Sequence, residues 1–559
     1  MYKIDVKKLS FAFIILFFTQ LQAKTHILRS SHQLFQQVEK SHLPTDWHLL
    51  DHQVDGLLGL SLFEAQKNLK EYCALSTNKK ITIAIIDSGF DVLHPIFKSN
   101  LWINEKEIPN NGIDDDKNGY TDDIIGWNFL GNKNVSAHYS LDGQNLIDFI
   151  PTPSQEHLRW DSLAKTRRLK QLKIKNELDE LSVSQQLEYK QLQQEIDRKQ
   201  SRAKKLWQEY KVDLTIMQKA YELLQVKAPL SLEQVKRITA HSKAQQQAKS
   251  TLIKFKQQGT DLVFLQEQVQ LYQVQANIHY NIDYDGREKI IKDKDQLIFE
   301  KGYGNNDIYG PNALHGTHVA GITSALLKPF NQSCTQIKIM PIKAIPDGDE
   351  RDKDIINALN YALDNGANII NLSFGKFYSA HKAEVQKVLL KAKKQNTLII
   401  QAAGNEYLDL DSKPSYPSAF IQGKKLENYL VIGASTPHKD ENVFASFSNY
   451  GKKTVDMLAP GVLIHSATPE FGHAKLSGTS TSAPMVSALA GIILAANPDL
   501  TAQETITRLK QGATDLNGLE IFKTGLGTVK LEDIVVSPKI INFHKTLLYL
   551  LNRSFIAKS

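Results

Sequence analysis

Five short runs rich in β-branched residues, most of them closing on a polar residue or glycine, set the main limit on what this chain can fold into. They are ITIAIIDSG (81–89), IKIMPIKA (337–344), ANIINLSFG (367–375), TLIIQAAGN (397–405) and YLVIGAS (429–435). Continuous apolar runs of this length read as strands buried on both faces, the habit of a parallel sheet. Helical patterns separate several of them, as in DKDIINALNYALDNG (352–366) and HKAEVQKVLLKAKKQ (381–395). Alternating strands and helices predict an α/β fold with a doubly wound parallel sheet. Chemistry in such sheets gathers beyond the carboxyl ends of the strands, where Asp87, Ser373 and Asn405 fall.

Residues 154–258 follow another pattern, with no glycine, one proline (Pro229), and many Gln, Lys, Glu and Leu. From Tyr189 through Leu192, Ile196, Ala203, Leu206, Tyr210, Leu214, Met217 and Tyr221 to Leu224, apolar residues recur at spacings of three and four, interrupted only at Lys199. Ser182 with Gln185 and Ser231 with Gln234 have capping-box spacing at helix starts. The segment reads as two or more long antiparallel helices, a hairpin inserted into the α/β domain, and its aromatic stripe as packing.

Lys3, Lys7 and Lys8 precede the apolar run FAFIILFF, and LQA closes at Ala23. That order is the order of a secretory signal peptide, and the expected location is periplasmic or extracellular. The apolar run is too short to span a bilayer, and no later stretch is expected to do so. A net charge of +7 over 559 residues gives no case for a nucleic-acid partner. Two cysteines, Cys73 and Cys334, exclude a disulfide-dense scaffold and a cysteine-built zinc site.

LSGTSTSAPMVSALAG (476–491) holds four serines ahead of and inside an apolar helix with Pro484 in its first turn. Read alone, such serines are ordinary helix caps. ALHGTHVAGITSAL (313–326) is a second small-residue entry to an apolar helix, with two histidines. Together with DSG (87–89) and AAGN (402–405), HGTHVAG (315–321) and GTSTSAP (478–484) resemble the motifs of the subtilisin-like serine proteases, peptidase family S8, in that family's Asp, His, Ser order. FSNYG (447–451) and VDMLAPGV (455–462) resemble further family stretches.

The resemblance implies a subtilisin-like fold and a triad of Asp87, His315 and Ser480, with the Asn405 side chain and the Ser480 backbone N–H as oxyanion donors. Chemistry asks for these types independently. A serine hydroxyl needs a base to take its proton, and the imidazole needs a fixed carboxylate to hold its tautomer. Ser373, Phe374 and Gly375 match the family strand that pairs with an extended substrate, and Gly404 matches a wall of the pocket for the residue before the cut. At the positions near Ser415–Ser418 that match the family pocket no acidic residue is evident, which favours an apolar pocket. The resemblance also sets the strands after Cys73 and Cys334 side by side, so that either a disulfide or two buried thiols follows.

GIDDDKNGYTDDIIGWNF (112–129) offers Asp114, Asp116, Asn118 and Asp122 as oxygen ligands around Gly119. Calcium is one reading of this loop and a solvated acidic turn the other; no organic cofactor is expected. Ile125 stands where an EF-hand needs glutamate, and Ile96 where family members often carry the Asp of a strong calcium site.

The resulting organisation is a signal peptide (1–23), an N-terminal extension (24–75), a catalytic domain in two parts (76–150 and 286–537), a helical insertion (151–285) and a C-terminal tail (538–559). The expected function is an exported endopeptidase acting on peptides or proteins. The alternative is a gated or inactive relative that binds a partner through its helical insertion.

Overall fold

The structure, a computed structural model, describes residues 43–558 apart from 78, 144, 179, 293–297 and 524–525. The expected signal peptide and the first part of the extension lie outside the described residues. Among those described, nine strands form the main sheet. In chain order they are β1 (Lys80–Asp87), β2 (Trp127–Asn128), β3 (Gln336–Lys343), β4 (Ile369–Leu372), β5 (Leu398–Ala402), β6 (Tyr429–Ser435), β7 (Met457–Pro460), β8 (Thr514–Asp515) and β9 (Lys539–Ile540). Their order is β8-β9-β7-β6-β5-β4-β1-β3-β2, and only the β8–β9 pair is antiparallel. The five apolar runs supply β1, β3, β4, β5 and β6, as expected from their β-branched content.

Side chains alternate across each strand and so divide the core in two. Ile81, Ile83 and Ile85 face one layer with Val319, Leu326, Met485 and Leu489, while Ala84 and Ile86 face the other with Ile355, Leu359 and Leu389. Helix Thr479–Ala496 is buried nearly all round, and Gly491 keeps it close to the sheet, since a Cβ there would lie 3.1 Å from Ile83 Cδ1. By length and composition this helix could cross a membrane, contrary to the expectation that no later stretch is long enough. Its window is 94% buried in the protein, which accounts for its apolarity as a core helix.

The ends of the chain also depart from expectation. Residues 538–552 are not a tail: β9 and the start of helix Phe543–Lys558 bury Phe543 and Leu547 in the same core as Trp47, Leu60 and Tyr72 of the extension. The Phe543 N–H donates to the Leu60 carbonyl at 2.8 Å, and Trp47 Nε1 donates to the Val462 carbonyl at 3.0 Å. Apolar residues at both ends thus complete the central core. Cys73 and Cys334 form a disulfide with Cα atoms 5.4 Å apart.

Between β2 and β3 the helical pattern gives helices Ala164–Glu177, Val183–Leu223, Leu232–Arg237, Lys243–Gln257 and Leu262–Val274. Both expected capping boxes form, at Ser182 and Ser231. Only Val183–Leu223, with 41 residues, is long among the described residues, so a pair of long helices is not what forms. Pro229, the caps Ser231 and Ser242, and Gly259 at φ +72° divide the rest into shorter pieces. The aromatic stripe is packing: Leu192, Ile196, Met217, Tyr221 and Leu224 are buried, and Tyr210 stacks on Tyr272 at 5.5 Å.

Candidate active site

Asp87 ends β1, and the register that pairs Ile86 with Leu372 places it beside Ser373 at the carboxyl edge of the sheet. Two side chains reach this edge from helix starts. His315, in the first turn of helix Leu314–Ser333, holds Asp87 Oδ1 through Nδ1 at 2.7 Å. Ser480, in the first turn of helix Thr479–Ala496, accepts the Ser373 hydroxyl on its backbone carbonyl at 2.9 Å. The two helices touch where Thr323 Oγ1 donates to the Pro484 carbonyl at 3.3 Å. Gly316 is needed here, because a Cβ would run into the Gly89 carbonyl and come within 3.2 Å of Asp87 Cβ.

Asp87 is 1% exposed, and its Oδ1 also accepts the Ser88 N–H at 2.7 Å. Its Oδ2 is buried without a partner among the described residues. Burial works to lower the His315 pKa, but the adjacent Asp87 carboxylate, with a smaller contribution from Asp347, outweighs it and raises the imidazole above its ordinary value. His318, one turn on, is 1% exposed and bonds the Ile464 and Ala474 carbonyls at 3.0 and 3.1 Å. Burial pushes its pKa down to about 4, so it is a neutral packing group.

The four serines of the second motif separate cleanly. Ser477 Oγ accepts the Leu463 N–H, Ser482 Oγ donates to the Ala459 and Pro460 carbonyls, and Ser487 Oγ bonds Asn371 and Ala483. Among the described residues, only Ser480 Oγ of the four makes no hydrogen bond. It is not bonded to His315 either, a contact that often closes only when substrate arrives. Asn405, three residues beyond β5, is exposed, and its Oδ1 accepts from the Thr479 N–H and hydroxyl. A Cβ built on Gly478 would stand 3.1 Å from Ser480 Oγ and 3.3 Å from Asn405 Nδ2, so both groups border one small space that glycine leaves open.

Ser373 is buried, Phe374 half-buried and Gly375 exposed, in a stretch continuing β4 toward Ser480. Gly404, at φ +97°, packs so tightly on Asn449 that a side chain would not fit. Behind them lies a pocket of about 20 Å³ lined by Gln401, Ala403, Leu410, Ser415, Ser418 and Phe420, with no acidic side chain in its wall. That volume is about one water.

The acidic loop rearranges the expected ligand set. Asp114 and Asp116 converge with Glu107, their ligand atoms within 4.8 Å of one another. Asp122, whose two oxygens accept the Asn111 and Gly112 N–H groups at 3.2 and 2.9 Å, lies outside this carboxylate group. Asn118 donates its amide to Asp123 and accepts the Tyr120 N–H. Burial, and then the charge of Asp116, push the Glu107 carboxyl up. Three crowded carboxylates fit a hard, oxygen-ligated cation such as calcium. Sequence reading missed Glu107, which lies outside the Asp-rich run.

A model of the family described as the subtilase family, Peptidase_S8, matches residues 78–527. Subtilisin BL of Lederbergia lenta is 31% identical over 219 residues, 38% of this chain and 74% of that protein. The cell wall-associated protease of Bacillus subtilis (strain 168) is 37% identical over 208 residues, 36% of this chain and 21% of that protein. The crystal structure of a cold adapted subtilisin-like serine proteinase aligns over 43% of this chain and 77% of that one, at 23% identity and a TM-score of 0.34.

Proposed function

The chain belongs to the subtilase family of serine proteases, and from that premise we propose that it is an exported endopeptidase working through Asp87, His315 and Ser480. The observation that carries this reading is the Asp87–His315 hydrogen bond at 2.7 Å, together with Ser480 as the serine of the four in its motif whose hydroxyl is unbonded among the described residues. Ser480 Oγ attacks the carbonyl carbon of the scissile bond while His315 Nε2 takes its proton. The buried Asp87 keeps the Nδ1 proton in place and stabilises the imidazolium. The carbonyl oxygen becomes negative and receives hydrogen bonds from Asn405 Nδ2 and the Ser480 N–H, at the positive end of its helix. His315 then returns the proton to the leaving amine, leaving an acyl-serine that water hydrolyses by the same steps reversed.

The wall near Ser415 and Ser418 carries no acidic side chain, which speaks against a basic residue before the cut and leaves the apolar preference as our reading. Ser373–Gly375 would pair with the substrate backbone. The disulfide and the N-terminal Lys-apolar-Ala pattern support export. We read residues 151–285 as an insertion in the catalytic domain. Glu107, Asp114 and Asp116 would hold calcium, which would supply charge neutralisation to the loop. The partner-binding alternative draws on the exposed Leu178, Val183 and Leu187 where the first two helices join. A fluorophosphonate label decides between them: covalent capture at Ser480 of the wild type, lost in Ser480→Ala, supports the protease, and no capture removes it.

A further inference from the structure

Lys523 ends the first strand of a hairpin in which Glu520–Lys523 pairs with Gly527–Lys530. The Phe522 N–H donates to the Glu441 carbonyl at 3.2 Å, which sets the hairpin on the loop that follows β6. Lys523 is 3% exposed, and its Nζ is buried with no hydrogen-bond partner among the described residues. It lies instead over three aromatic rings, 4.1 Å from the centre of Tyr407, 4.3 Å from Tyr450 and 4.6 Å from Phe444. The negative face of a ring attracts an ammonium, most strongly where water is excluded. Burial pushes the Lys523 pKa down to about 7, and the ring faces act against that shift by favouring the charged form. A methionine or leucine would fill the same space without desolvating a charge. What the ammonium adds is a hold on three rings at once.

Those rings come from two segments. Tyr407 lies in the loop after β5, two residues past Asn405, and Phe444 and Tyr450 lie in the loop after β6. The Tyr407 and Tyr450 rings meet edge to face at 6.4 Å. Hydrogen bonds join the same two segments around the cage. The Tyr407 N–H donates to the Phe447 carbonyl at 3.0 Å and the Asn449 N–H to the Gly404 carbonyl at 2.9 Å. Asn449 Oδ1 accepts the Glu406 and Leu408 N–H groups at 3.1 and 2.8 Å. Asn405 is exposed, so its direction is set by its two bonds from Thr479 and by the backbone on either side. On the Tyr407 side that backbone is strained, with φ +61°, a left-handed conformation for a residue with a bulky side chain. Such a conformation persists only where the surroundings fix it. The cage fixes the Tyr407 ring.

We propose that Lys523 is a positioning residue for the oxyanion site, its ammonium pinning the Tyr407 ring, hence the 405–407 backbone and the aim of Asn405 Nδ2. This rests on the reading of Asn405 as an oxyanion donor. That amide matters once the scissile carbonyl oxygen has become negative, so loosening its aim slows the chemical step and leaves substrate affinity alone. The Asp87–His315 pair and Ser480 lie on other elements and are not disturbed.

The test uses the full chain as wild type, Lys523→Met, Lys523→Arg, Asn405→Ala and the double change Lys523→Met with Asn405→Ala. Each is assayed on a peptide anilide, with active sites counted by fluorophosphonate. Lys523→Met should lower kcat about tenfold at unchanged KM, the scale of one desolvated cation–π contact. Its Tm should stay level or rise, because a buried charge has been removed. Lys523→Arg keeps a cation over the rings and should recover most of kcat. On the Asn405→Ala background, Lys523→Met should add no more than about a twofold loss, because the amide it steers is gone. An unchanged kcat, a change confined to KM, a kcat loss matched by a lower Tm, a fully additive double variant, or an arginine variant no better than methionine overturns the proposal. If Lys523→Met does not fold, Tyr407→Leu is judged by the same kcat, KM and additivity criteria. Labelled wild type with any of the overturning results defeats only the positioning role, whereas unlabelled wild type defeats the catalytic reading beneath it.

Discussion

Asn405 Oδ1 accepts two hydrogen bonds from Thr479, from its N–H at 2.9 Å and its hydroxyl at 3.0 Å. Because the backbone N–H can only donate, the amide oxygen is fixed on that side and Nδ2 faces the space shared with Ser480 Oγ. Asn405→Ala or Asn405→Leu should lower kcat by about 10²–10³ with little change in KM. Steady-state kinetics on a peptide anilide reads both, and a loss confined to KM would make Asn405 a binding residue.

Ser480→Ala should reduce kcat by about 10⁶, the loss that subtilisin shows for its own serine. Ser482→Ala should keep turnover within a few-fold, because that hydroxyl points at the Ala459 and Pro460 carbonyls. The same assay on both variants checks the pair, and the reverse ranking would reassign the nucleophile.

The base must be unprotonated to act, so activity falls as pH drops through the His315 pKa. Burial alone would lower that value, but Asp87 outweighs it, so the acid limb of kcat/KM should lie above the ordinary 6.5. Asp87→Asn should shift the limb downward and cost about 10⁴ in kcat. The raised pKa also makes His315 stabilising below pH 6.5, a contribution lost as pH rises through the folded value. An acid limb below 6.5 in the wild type would mean that Asp87 does not govern the imidazole.

The Cys73–Cys334 bond closes a 261-residue separation and ties the extension to the end of the His315 helix. Loop-closure arguments put its contribution at up to about 5 kcal/mol. Reductant, or the double change Cys73→Ser and Cys334→Ser, should lower Tm by several degrees or more. Thiol titration of the unfolded, unreduced protein should find no free thiol, and two would disprove the bond.

Chelation should lower Tm if calcium neutralises Glu107, Asp114 and Asp116, and added calcium should restore it. Glu107→Gln, which removes one of the three converging carboxylates, should weaken that response. Calorimetry with calcium alone provides a readout besides activity, and identical melting curves with and without it would leave a solvated turn.

Five of the nine main-sheet strands, both expected capping boxes and the order of the Asp, His and Ser motifs were legible in the sequence because each depends on neighbours a few residues away. β-Branched runs, Ser182 with Gln185, and small residues around His315 and Ser480 carry their reasons locally. The buried Asp161–Arg351 pair was not legible, since the two meet across 190 residues and nothing in DERDK marks that partner. The place of Glu107 beside Asp114 and Asp116 was hidden for a related reason, as which carboxylates converge depends on how the turned backbone brings them together. The chain's ends looked like an extension and a tail until packing buried Trp47 and Phe543 together. Sequence alone determined the α/β layering and the residue types available for acyl transfer, because hydrophobic periodicity and helix starts are local. Tertiary structure alone decided which of four serine hydroxyls stays unbonded and which carboxylates crowd, because hydrogen bonding and burial depend on distances that only the folded chain sets.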